Sequence, residues 1–237
     1  MPPSTGRGAP DGAGARAGSL RRVSQANHDA VVELLGALAY GELTAFERLA
    51  TDSRLAPTLT DKARLAAMAA AEFHHYESLV ARLASLGVDP EEAMAPFVEA
   101  LDEFHEMTAP SDWLEGLIKA YVGDGLAADF YREVATVLDP DTRDFVLEVL
   151  ADTGHSSFAV DRVRAAIEAD PAIAGRLALW ARRLVGEALT QAQKVAVRRD
   201  ALANLIVDSG DLAEIGRMLA RITDRHTERM AALGLSG

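Results

Sequence analysis

The sequence of 237 residues contains no cysteine. Disulfides, thiolate-bound metals and thiol nucleophiles are therefore excluded, and any metal must be held by carboxylate and imidazole. Aromatic residues make up only 5%, and the apolar–polar alternation that marks β-strands is scarce. No apolar run approaches the roughly 20 residues a membrane span requires. The N-terminal arginines are not followed by the apolar stretch of a secretory signal. These absences lead us to expect a cytoplasmic protein with no membrane contact. Positive charge is also in deficit, at a formal net −12, which argues against a broadly nucleic-acid-binding surface. What is abundant is Ala, Leu, Glu and Arg, within a 49% apolar composition ample for a core. The expected fold is all-α.

Residues 1–22, rich in Gly, Ala, Pro and Arg, cannot bury enough apolar surface to offset ordering. They are expected to be a disordered tail ahead of a helical domain over 23–237. A first helix is expected from Ser24 to Leu55, with Leu35, Leu38, Ala39, Ala45, Phe46 and Leu49 on one stripe. Glu42 lies on that stripe, where a carboxylate is costly unless paired or bound to a metal. A second helix is expected from a Thr60 cap to Gly87, with Leu65, Met68, Ala69, Glu72, His75, Tyr76 and Leu79 on its inner face. Glu72 and His75 stand at i and i+3, so they can share one ion or form a buried hydrogen-bonded pair. His74 and Glu77 point away and are expected to be solvated.

A shorter helix opens at Asp89-Pro90 and runs to Met107, carrying a second acid-x-x-His, Asp102 and His105. Ser111 is expected to cap a helix reaching Leu138, with Leu117, Ala120, Tyr121, Asp124, Ala127, Ala128 and Tyr131 on its apolar stripe. Asp129 falls on another face, beside Gly125, Arg132 and Glu133. Gly123 and Gly125 flank Asp124, and each costs about 1 kcal/mol against Ala mid-helix. Close approach of another helix, a bulge that re-aims the acid, or a loose turn would each account for them. Asp139-Pro140 opens a helix placing Phe145, Val149, Asp152, His155, Ser156 and Ala159 on one face. A helix from Asp170-Pro171 to about Val207 and a last one from Leu212 to Leu233 are assigned to packing. Arg176, Arg182, Arg183, Lys194, Arg198 and Arg199 form either a phosphate-binding strip or a solvated face.

Spacing selects among the acid-x-x-His pairs. Glu42 precedes Glu72 by 30 residues and Asp124 precedes Asp152 by 28. In antiparallel hairpins each lone acid then meets its pair at one level, whereas His105 has no such partner. Two lone carboxylates and two acid-x-x-His pairs are the pattern of a ferritin-like di-metal bundle. Four carboxylates balance two divalent cations, and the mixed oxygen and imidazole donors suit iron or manganese. The metal-binding bundle is expected over 24–169, with packing helices over 170–234.

Three segments carry a family resemblance: Asp52-Ser53-Arg54-Leu55-Ala56-Pro57, Ala71-Glu72-Phe73-His74-His75, and Trp113 through Gly125. Over residues 28–234 the sequence resembles an actinobacterial branch of proteins similar to the tRNA 2-methylthio-isopentenyl-adenosine hydroxylase, within the ferritin-like superfamily. The resemblance implies a non-haem di-iron centre that uses oxygen and an electron donor to hydroxylate a modified tRNA nucleoside. It implies Glu42, Glu72, His75, Asp124, Asp152 and His155 as iron ligands. Asp124 and Asp152 stand where the family has glutamates, so the second ion would sit differently. Tyr121, with Tyr76, is expected near the metals as a redox-adjacent residue. A ferritin-like iron-handling or peroxide-consuming protein, and a metal-free helical scaffold, are the alternative expectations.

Overall fold

A computed structural model describes the backbone of residues 12–151, 155–199 and 212–236, with side chains over 27–151, 157–199 and 213–236. The described residues are helical, and no strand is found among them. Helix α1 (Gly12–Asp52) and α2 (Leu59–Ser85) form an antiparallel hairpin, joined through a 3-10 turn at Ser53–Leu55. The chain continues through α3 (Pro90–Met94), α4 (Val98–Met107), α5 (Trp113–Ala135), α6 (Pro140–Val149), α7 (His155–Ala169), α8 (Ala174–Arg198) and α9 (Leu212–Ala232). α5 packs against α1, α6, α7, α8 and α9, while α4 lies between α1 and α8.

Local chemistry sets these boundaries, and several differ from expectation. α1 begins at Gly12 rather than Ser24. A helix already nucleated by packing gains one hydrogen bond for each further residue, and this segment is rich in Ala and Arg. Residues 1–11 of the expected tail lie outside the described residues. The cap of α2 is Thr58, not Thr60: its Oγ1 accepts from the Asp61 N–H at 3.1 Å and donates to the Asp61 carboxylate at 2.8 Å. Asp112, rather than Ser111, caps α5 by accepting from the Glu115 N–H at 2.9 Å. Glu115 in turn accepts from the Ser111 N–H at 2.8 Å. Pro96 divides the expected helix after Asp89 with a 3-10 turn at Ala95–Phe97.

Two corrections bear on the site. The expected continuous helix from Asp139 is divided: α6 ends at Val149, and helix resumes at His155. Asp152 lies outside the described residues, and only the backbone of His155 is described. The expected Asp152–His155 pairing therefore lies outside the described residues. The helix expected to reach Val207 ends at Arg198.

The apolar core forms two clusters. One gathers Leu49, Leu65, Met68, Ile118, Trp180 and Met230; the other gathers Leu35, Leu38, Leu79, Phe97, Val134 and Val146. Glu42 lies between Leu38 and Leu49 in sequence, Glu72 and His75 between Ala69 and Leu79, and Asp124 between Val122 and Val134. Each helix leaves one cluster and enters the other across this level, so the ionisable residues form a polar layer between two apolar plugs.

Gly36 permits the contact that holds α3 on α1: a Cβ there would overlap the Ala93 carbonyl, 2.7 Å from its carbon. Gly36→Ala should destabilise the fold by about 1–3 kcal/mol through overpacking against backbone. Gly186→Ala, with open space around it, should not. Urea denaturation of both variants checks the contrast.

Candidate metal centre

The α1–α2 hairpin brings Glu42, Glu72 and His75 together. His75 Nδ1 lies 3.5 Å from Glu42 Oε2 and 3.4 Å from Glu72 Oε2. One donor atom from each residue falls within 4.8 Å of the others. All three side chains are largely buried, at 13–19% exposure. His74 and Glu77 pair with each other on the solvent side, 80% and 60% exposed, as expected.

The three side chains shift one another strongly. Burial pushes the Glu42 carboxyl well up, and hydrogen bonding and charge from Glu72 push it further, against the pull of His75. Hydrogen bonds to Glu42 and Glu72 raise the His75 imidazolium to about 10. Asp124, across on α5, lines the same cavity. Its side chain is exposed at the cavity wall, and burial within the surrounding helices, followed by the charges of Glu72 and Glu42, raises its carboxyl well above the ordinary range. Three carboxyls repelling one another in a low-dielectric layer, with one imidazole among them, form a donor set that a divalent cation would relieve. The residues present fit an iron or manganese ion.

Tyr121 lines the cavity, but the charge it is coupled to is that of Arg229. Tyr131 also lines it, and burial followed by the charge of Glu42 pushes its phenol up. Sequence reasoning singles out Tyr121 and passes over Tyr131, although Tyr131 stands seven residues after Asp124 on the same stripe. Tyr76 packs in the cluster around Leu79.

The other acid-x-x-His pair is used structurally. Asp102 accepts from Tyr40 Oη at 2.7 Å, and His105 Nε2 lies 3.1 Å from Thr44 Oγ1. The Thr44 hydroxyl donates to the α1 carbonyls of Tyr40 and Gly41, each at 3.0 Å. It therefore accepts from an Nε2–H tautomer of His105. Burial, then the charges of Lys119 and Arg48, holds that imidazole down at about 3. A base depressed below its unfolded value of roughly 6.5 stabilises fully above that value, and the contribution is lost as pH falls toward 3. His105→Asn should therefore flatten the loss of stability between pH 6.5 and 4 by about 2 kcal/mol, measured by denaturant titration at each pH.

Asp129, which lies off the apolar stripe of its helix, is 3% exposed. It receives Arg229 and Arg225 from α9 and Arg132 from its own helix. Neighbouring Glu133 takes Arg221 at 2.7 Å and Arg225 at 3.1 Å. Gly125 admits this network, since a Cβ there would sit 2.8 Å from Arg229 Cδ. Close approach thus accounts for Gly125, whereas Gly123 has open space. The last helix does more than pack: Arg225, Glu228, Arg229 and Ala232 form part of the cavity wall.

The cavity that Glu42, Glu72, His75 and Asp124 open into has a volume of about 670 Å³. No curated protein matches the chain in sequence. Among solved structures, the fold is similar to a protein with aldehyde deformylating oxidase activity from Synechococcus. The TM-score is 0.68 at 20% identity, covering 89% of this chain and 92% of that one. The model of the ferritin-like domain of actinomycetes matches residues 25–209. That match spans the helices bearing Glu42, Glu72, His75 and Asp124, and the chain belongs to this ferritin-like family.

Proposed function

We propose that the protein is a non-haem di-iron, oxygen-dependent hydroxylase. The observation that carries this reading is the opening of Glu42, Glu72 and His75, with Asp124 opposite, into a cavity of about 670 Å³. That is the volume of a small-molecule site. Iron storage needs a path for ions, not room for an organic substrate, so the cavity favours a hydroxylase over an iron-handling or peroxide-consuming protein. A metal-free scaffold accounts for Glu42 and Glu72 through their hydrogen bonds to His75, but not for the cavity they open into.

In this reading Glu42, Glu72 and His75 hold one ion. Asp124, with Asp152 and His155, serves the second, with manganese an alternative to iron. The bound metals supply oxygen activation. The net reaction inserts one oxygen atom into a C–H bond and reduces the other to water, with two electrons and two protons from an external donor. The chain's part is to hold the ligands apart from bulk water between two apolar clusters and to present a walled space beside them. Tyr131, next to Glu42, and Tyr121, next to Arg229, are the phenols placed to hold a proton there.

The family resemblance makes a modified tRNA nucleoside the substrate to test. The expected phosphate strip is engaged internally: Arg176 with Asp112 at 2.8 Å and with Glu115, Lys194 with Glu103, Arg198 with Glu99, and Arg199 with Glu33. Arg183 donates to the Met107 carbonyl. A tRNA would have to compete with these acids, which favours a substrate recognised inside the cavity.

The test is purification with Fe(II) under anaerobic conditions, followed by metal analysis and oxygen uptake with a reductant. Tight binding of iron with slow uptake that accelerates on adding substrate supports a hydroxylase. Bound iron with rapid peroxide consumption and no organic product supports the iron-handling alternative. Nucleoside profiling of a deletion strain tests the tRNA arm: accumulation of an unhydroxylated nucleoside supports it, and an unchanged profile removes it.

A further inference from the structure

The cavity has a second polar end that the metal ligands leave unused. At 1.5 Å per residue, Arg48 lies about 9 Å and Asp52 about 15 Å from Glu42 along α1, and Lys119 lies about 7.5 Å from Asp124 along α5. Asp52 packs against Gly116, where a Cβ would sit 3.6 Å from its carboxylate. Asp124 feels the charges of Glu42 and Glu72. The two helices therefore run antiparallel past each other, and Arg48, Asp52 and Lys119 gather at one end, all lining the cavity.

Lys119 is only 6% exposed. Its Nζ donates to the Thr108 carbonyl at 2.9 Å, which leaves two N–H groups, and it sits 5.5 Å from the Phe104 ring centroid. Arg48 Nε is buried without a hydrogen-bond partner. Neither cation forms an ion pair among the described residues, unlike the cations of α8. Asp52 is the acid whose charge acts most on Lys119, so among the described residues this end of the cavity holds two cations against one carboxyl, an excess that a bound negative group would offset. Burial raises the Asp52 carboxyl, and the charges of Lys119, Arg48 and Arg54 pull it back down. His105 lies against both: after burial, the charges of Lys119 and Arg48 keep its imidazole neutral.

We propose that Lys119 and Arg48 seat an anionic group of the substrate, a carboxylate or a phosphate. The rest of the molecule runs past Leu49, Met68 and Ala120 toward Glu42, Glu72 and His75. The atom to be oxidised then lies about 7–9 Å from the anion, by the helix rise. An extended eight-carbon chain spans about that length. Which end reacts rests on the metal reading above; the anion seat does not.

The experiment is calorimetric titration of the full chain with octanoate, octyl phosphate and 1-octanol. At least one anion should bind ten-fold or more tightly than the alcohol, and the arm that does names the group. Lys119→Met and Arg48→Met should each remove most of that preference while leaving octanol binding unchanged. Lys119→Arg should keep it. Circular dichroism confirms folding, and Arg48→Met, at a half-buried position, carries the test if Lys119→Met fails to fold. Equal binding of octanol and both anions overturns the proposal, as does a preference that survives in both Met variants. The same titration on Glu72→Ala separates the two readings. Anion preference in a protein that never binds metal overturns the metal centre alone. Bound metal without anion preference overturns the anion seat alone.

Discussion

Glu72→Ala and His75→Ala should each abolish bound metal, whereas His105→Ala should leave most of it. Glu72 and His75 are one turn apart on α2, and the His75 imidazole lies 3.4 Å from Glu72 and 3.5 Å from Glu42 on α1. Removing either leaves two donors, too few to replace the hydration shell of an ion in a layer closed by apolar clusters. His105 meets Thr44 instead, and its ring stays neutral for structural reasons. The readouts are metal content after anaerobic Fe(II) or Mn(II) loading, and the thermal shift on adding the ion. An ion at a hundred times its dissociation constant stabilises the native state by about 2.7 kcal/mol. That increment should vanish in the two α2 variants and persist in His105→Ala. Metal retained in His75→Ala but lost in His105→Ala would make His105 the ligand in place of His75, and a wild-type protein without metal or shift would remove the centre altogether. The pH dependence has a definite sign. In the metal-free protein the His75 imidazolium is held up to about 10, so its stabilisation is complete below roughly pH 6.5 and is lost as pH rises through 10. Loading must displace that proton, so metal affinity should rise with pH and proton release should appear as a buffer-dependent binding enthalpy.

Asp129→Ala should be the most damaging substitution for stability without touching the metal. The carboxylate is 3% exposed and takes guanidinium groups from Arg229, Arg225 and Arg132. Removing it leaves Arg229, itself 12% exposed, as an uncompensated buried charge. Breaking such a pair from one side costs about 3–5 kcal/mol, which for a chain of this size is a fall in Tm of about 10 °C. Thermal denaturation of the metal-free protein measures it. α9 is held on α5 largely through this network, so limited proteolysis should cut first ahead of α9 in the variant. A small change in metal-free stability together with loss of bound metal would instead assign Asp129 as the ligand from α5, in place of Asp124.

Much of the fold and the meeting of Glu42, Glu72 and His75 are legible in the amino-acid sequence. The apolar stripes of α1, α2 and α5 follow from the 3.6-residue period, and an ionisable residue on such a stripe is visible as an exception. That is why Glu42, Glu72, His75 and Asp124 stand out, and the hairpin spacing then separates His75 from His105. The caps at Thr58 and Asp112 lie one or two residues from their expected places, because neighbouring polar residues compete and only backbone geometry chooses between them. The division of the helix after Asp139 is hidden because apolar periodicity continues through Val149 and His155 even where the helix does not.

The opposed pairings are decided by tertiary structure alone. Asp129 falls off the apolar stripe of its own helix; Arg229 and Arg225, about a hundred residues later in the sequence, pair with it in a buried position. The cations of α8 read as a free strip, yet their acids lie on α1, α4 and α5. Lys119 reads as an ordinary charge between apolar neighbours, and only the approach of α1 sets it beside Arg48 in a cavity. Periodicity is a property of one helix, so the long helices of the first hairpin, their inner faces and the candidate Glu42, Glu72 and His75 group follow from the order of residues alone. Charge pairing and enclosed volume depend on which helices meet and at what register, and distant segments meeting in space decided them.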